Sequence, residues 1–98
     1  MANMSCNWFY CSTDNDRNME RIIYFLDEEF GFTELDGERN RVHGRFYSRW
    51  AFPEEEFEKL MAELEDDPSL FIEVVSYEPG MGYLEAHTFH DERWNILS

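Results

Sequence analysis

The stretch RVHGRFYSRW, residues 41–50, alternates without a break. Val42, Gly44, Phe46, Ser48 and Trp50 take one side, and Arg41, His43, Arg45, Tyr47 and Arg49 take the other. An extended strand separates two such sets, because successive side chains leave it on opposite faces. One dry face and one wet face point to an antiparallel sheet covered on one side only.

Two helical stripes say what covers the dry face. Met19, Ile22, Ile23, Leu26 and Phe30 recur at helical spacing. They predict a first helix over 16–30, with Thr13, Asp14 and Asp16 as candidate caps and Gly31 as the stop. Pro53 suits a first helical turn, where a missing N–H costs nothing. Phe57, Leu60, Met61 and Leu64 then form the stripe of a second helix, ended by Pro68.

The remaining segments read as strands and turns. NWFYC (7–11) is an aromatic strand, and FTEL (32–35) is a short second one. DGERN is a turn signalled by Asp36-Gly37. LFIEVVSYE (70–78) is the most strand-prone stretch, PGMG (79–82) turns it back, and YLEAHTFH (83–90) is the last predicted strand. The tail DERWNILS has no assignment. The chain of 98 residues is therefore expected to be one domain, 1–98. Its class is α+β: a ferredoxin-like sandwich, an antiparallel sheet with two helices on one face plus an extra C-terminal strand.

Three short stretches carry a resemblance. Asn7-Trp8, FYSRWAFP (46–53) and YEPGMGYLEA (77–86) resemble the YubB-type ferredoxin-like family, small plasmid and phage proteins of unknown function. One Pro follows the Trp where the family pattern has two, and the loops are shorter. The resemblance implies the fold and a mobile genetic element as the source. It implies no active site.

Charge limits the partners. Asp and Glu number 22 against eight Lys and Arg, a net charge of −14. Such a surface repels nucleic acid and anionic lipid and favours basic proteins, above all those that normally hold nucleic acid. No apolar run approaches the ~20 residues of a membrane span. MANMSCNWFYC lacks a basic n-region and an apolar h-region, so no signal peptide is expected and the cytoplasm is the default compartment. Cys6 and Cys11, an odd number of residues apart on one strand, face opposite ways and read as free thiols.

Two candidate binding surfaces follow. The first is the acidic second helix: Glu54, Glu55, Glu56, Glu58, Glu63, Glu65, Asp66 and Asp67. At helical spacing Glu54, Glu58 and Glu65 fall along one flank, and Glu56, Glu63 and Asp67 along the other. Like charges four apart repel, and acids at a helix C-terminus oppose its dipole. The array is thus poorly designed for stability and resembles two rows of phosphates. The expected function is a non-enzymatic inhibitor that occupies the basic nucleic-acid site of a host protein, of the anti-CRISPR or anti-restriction type.

The second surface is the wet sheet face, with Arg45, Tyr47, Arg49, Tyr77 and His87 as a platform for a peptide, a nucleotide or a second copy in a homodimer. Phe71, Glu73, Val75, Tyr83, Glu85 and Phe89 are expected to share it, and Arg45 and Arg49 to pair with Glu73 and Glu85. An acid–base pair of His43 and His87 is the third option, but no nucleophile or cofactor loop accompanies it. His87, His90 and Asp91 do not form a metal site, because odd spacing parts the two histidines. No enzyme activity, cofactor or metal is expected.

Overall fold

A computed structural model describes residues 4–31, 34–49, 52–80 and 82–97. Among them the chain forms β1 (Met4–Ser12), α1 (Asp16–Phe30), β2 (Glu34–Glu38), β3 (Arg41–Arg49), α2 (Glu54–Glu63), β4 (Phe71–Glu78), β5 (Tyr83–His90) and β6 (Arg93–Leu97). The strands make one antiparallel sheet in the order β2-β3-β1-β4-β5-β6. The architecture is α+β and compatible with a ferredoxin-like sandwich. The tail adds a strand, so β5 and β6 both extend the sheet beyond β4. Trp50, Phe32 and Thr33, for which burial or strand was expected, lie outside the described residues, as does Met81 of the PGMG turn.

Both helices pack on one face. Phe57 of α2 meets Phe9 and Phe46 of the sheet with ring centroids 6.4 and 6.2 Å apart, and Phe30 of α1 stacks on Phe46 at 4.3 Å. Met19, Ile22, Leu26, Phe57 and Leu60 share one buried cluster with Phe9, Val42, Phe46, Ile72 and Val74. Met61 and Leu64 pack at its margin, whereas Ile23 faces solvent. Each fully buried aliphatic or aromatic side chain contributes roughly 1.5–3 kcal/mol by leaving water.

α1 spans the predicted residues. Gly31 closes it at φ 58, a left-handed conformation open to glycine, with its N–H donating to the Asp27 carbonyl. The cap is Asn15, whose Oδ1 accepts from the Asn18 N–H at 3.0 Å, rather than Thr13, Asp14 or Asp16. The Thr13 hydroxyl is engaged elsewhere, by the Asn15 N–H and by Asp67.

Asp36-Gly37 is not the turn. Both lie inside β2, and Arg39-Asn40 makes the reversal between Glu38 and Arg41. Gly37 faces Val42, where an added Cβ would sit 2.4 Å from the Arg41 carbonyl oxygen. The glycine marks a close backbone approach, not a bend. The true turn is held to α1 instead: Arg39 pairs with Asp16 at 2.6 Å, and the Asn40 carbonyl accepts from the Thr13 N–H.

Candidate interaction faces

α2 is shorter than the acidic run. It ends at Glu63, and Leu64 is extended at φ −78, ψ 151. The cause lies on α1. The buried side chain of Asn18 accepts from the Glu65 N–H at 2.8 Å and donates to the Glu65 carbonyl at 3.0 Å and to Asp67 at 3.2 Å. One amide thus holds the chain out of the helix. The second-helix reading of Glu65, Asp66 and Asp67 is therefore corrected, and with it the two three-member rows.

These three acids have local partners. Glu65 accepts from Asn15 and pairs with Arg17 at 3.1 Å. Asp67 accepts from Thr13, Ser69 and Asn18. Burial works against its charge, yet the bonds from Ser69, Thr13 and Asn18 outweigh that and hold its pKa below the ordinary carboxylate value. Asp66 lies beside Glu92 of the β5–β6 turn, and the shared hydrogen bond raises the Glu92 pKa.

Glu54, Glu55, Glu58 and Glu63 stay exposed on α2, and Glu56 is half-buried. α1 extends this surface with exposed Glu20, Asp27, Glu28 and Glu29, which the sequence reading did not include. Segments 16–30 and 54–67 hold 13 acids against Arg17, Arg21 and Lys59. Between the helices runs a groove of about 840 Å³, with those three cations and Tyr24, Glu28 and Glu63 in its walls.

The opposite sheet face is bare. Arg41, His43, Arg45, Tyr47 and Arg49 lie on it as predicted, while Val42, Phe46 and Ser48 are buried. Across it, Tyr47, Cys6, Tyr77 and Leu84 stand in one row, and Arg45, Trp8, Val75, Ala86 and Leu97 in the next. The Arg45 guanidinium lies 5.0 Å over the Trp8 ring, a cation–π contact.

Two expectations fail here for reasons of topology. β1 inserts between β3 and β4, so the arginine strand never borders Glu73. Its acidic neighbours among the described side chains come from β2: Asp36 and Glu38 stand opposite His43 and Arg41, and Glu38 pairs with Arg41 at 3.3 Å. Second, Tyr83, Glu85, His87 and Phe89 are not on the wet face. Glu78 pairs directly with Tyr83, so the four-residue hairpin sets even residues opposite odd ones. His87 stands beside Val74 on the helix side, only 6% exposed. It leaves the proposed platform and has no access to His43, which removes the acid–base pair. Leu84, Ala86 and Thr88 face outward in their place.

On the helix side His87 belongs to a different cluster. Glu85 Oε1 accepts from the Tyr83 hydroxyl at 3.0 Å and lies 3.1 Å from His87 Nε2. His87 Nδ1 is buried without a hydrogen-bond partner among the described residues. Burial pushes the His87 pKa down, opposed in part by Glu85 and Glu54. Next to it lies a polar band in which Asn7 donates to Ser48 at 2.9 Å and accepts from Ser76 at 2.6 Å. Along this band the Tyr77 carbonyl accepts from the Ser5 hydroxyl, while the Tyr77 side chain stays on the open face. The band is built for internal hydrogen bonding and holds the β3–α2 loop: the Phe52 N–H donates to the Tyr83 hydroxyl at 3.5 Å.

The thiols separate as expected. Cys11 is buried, and burial followed by the nearby Asp67 charge raises its pKa to about 12, which leaves it unreactive. Cys6 is half-buried on the open face. No helix among the described residues is long and apolar enough to cross a membrane. No protein-family model, curated protein or solved structure matches the chain.

Proposed function

We propose that this chain is a ferredoxin-like, cytoplasmic interaction protein that performs no catalysis. Its acidic helical layer occupies the basic nucleic-acid-binding site of a protein partner, as an anti-CRISPR or anti-restriction inhibitor from a mobile element would. The supporting observation is the division of charge between faces. Segments 16–30 and 54–67 carry 13 acids and three cations, while Arg41, Arg45, Arg49 and Arg93 are on the other side of the sheet. A charge so segregated steers a basic partner to one surface.

The internal bonds of Glu65 and Asp67 narrow the contact set. Glu54, Glu55, Glu58 and Glu63, exposed on α2, form its centre, with Glu20, Asp27, Glu28 and Glu29 of α1 beside them. The helix-layer reading also suits the resemblance to plasmid and phage proteins.

The test is a pull-down from host lysate at low and high salt, repeated with competing nucleic acid. A basic partner released by salt and displaced by nucleic acid is the expected result. A variant with Glu54, Glu55, Glu58 and Glu63 changed to Gln should lose that partner while keeping its melting temperature. Undiminished capture by this variant would end the proposal.

A further inference from the structure

We propose that the open sheet face docks on the same face of a second copy, giving a closed two-fold dimer with the acidic helical layers outermost. A sheet face needs cover where it is apolar, and the uncovered face carries a run of large apolar side chains among its charged ones. Met4, Trp8, Tyr47, Tyr77 and Leu84 are each between 44% and 59% exposed, and Leu97 is 72% exposed. The register joins them into adjacent rows across five strands rather than scattering them. A contiguous apolar patch of this kind marks an interaction surface.

Charge selects the occupant. On a chain of net charge −14 the helical layer repels any second copy. The open face is near balance: Arg41, Arg45, Arg49 and Arg93 against Asp36, Glu38 and Glu73 among the described side chains. It is the surface on which two such acidic molecules can meet without like charges opposed. The face also suits no acidic ligand in particular, since the Arg45 guanidinium already covers Trp8 and Arg41 already pairs with Glu38.

Size is adequate. Five inter-strand gaps of about 4.8 Å and a nine-residue central strand of about 30 Å give a footprint on the order of 700 Å². A standard interface takes roughly 800 Å² from each partner. Head-to-tail stacking, the alternative, would press the aromatic rows on exposed carboxylates and strip them of water at a cost. It would also leave open ends and form filaments.

Analytical ultracentrifugation over a wide concentration range tests this, without any partner protein. The parent chain is expected at twice the chain mass, and more firmly so at high salt, because salt screens the mutual repulsion of the helical layers. That salt response is opposite to the one expected of the acidic face. Tyr47→Glu combined with Leu84→Glu should raise the dimer dissociation constant at least about a hundredfold with an unchanged circular dichroism spectrum. The Gln variant of the four α2 acids should dimerise as the parent does. A monomeric parent at high concentration, a parent that grows beyond two copies, or a double variant that is folded and still dimeric would each overturn the proposal. Should the double variant fail to fold, Trp8→Gln is the substitute, with the same expected loss.

Discussion

His87 stacks on Phe52 with ring centroids 3.8 Å apart and planes 10° from parallel. The contact ties the last helix-side polar residue of β5 to the loop that starts α2. Trp94 closes the edge of the same cluster, 5.8 Å from Phe52 and 6.1 Å from Phe57. The imidazole therefore sits in an apolar box, with Glu85 and Glu54 as the acidic groups that act on it.

Stability is expected to fall on mild acidification. The folded-state pKa of His87 is lowered, so below the ordinary histidine value of about 6.5 the unfolded chain takes up a proton that the folded chain resists. The contribution is complete above that value and is lost as pH drops through it. One proton limits the slope to about 1.4 kcal/mol per pH unit. Urea melts between pH 7.5 and 5 should show the decline, and His87→Gln, which keeps a donor for Glu85 but does not titrate there, should flatten it.

Asp67→Ala should destabilise the fold by about 1.5–3 kcal/mol, the range for hydrogen bonds to a charged group. It takes one acceptor from Thr13, Asn18 and Ser69 together. Because the Asp67 pKa is lowered, its contribution is present above the ordinary carboxylate value and disappears as pH falls through the folded one. The gap between parent and variant in chemical melts should therefore close in strong acid. A variant as stable as the parent at pH 7 would show that the 64–69 segment is held by Asn18 alone.

Glu92→Gly should stabilise. Asp91 and Glu92 form the two-residue β5–β6 turn at φ 53 and 63, and Glu is a poor occupant of that region. The change removes the left-handed cost and the Glu92 carboxylate that sits beside the Asp66 charge, at the expense of some unfolded-state entropy. A rise in melting temperature of about 2–6 °C is expected near neutral pH. Any fall would mean that Glu92 makes a contact that outweighs the strain.

Much of the architecture was legible because it rests on local periodicity. The α1 limits, the Gly31 stop, the inward set Val42, Phe46 and Ser48, and the opposed faces of Cys6 and Cys11 all follow from spacing along one element. The candidate site was legible only in part. Arg45, Tyr47, Arg49 and Tyr77 do share a face, yet Trp8 and Leu84, which complete it, were missed. Trp8 could have been found by extending the same alternation through NWFYC.

His87 could not have been placed by alternation, because facing depends on the hairpin. A period of two fixes which residues of β5 go together, but a single residue more or less in the 79–82 loop decides which side they take. The acidic run shows the same limit. Composition determined that residues 54–67 are charged and start a helix; the amide of Asn18, brought in from 47 positions away along the chain, decided where that helix ends. Local propensity belongs to neighbours in sequence. Strand order, register and the partners of buried polar groups belong to neighbours in space, and only the folded chain brings those together.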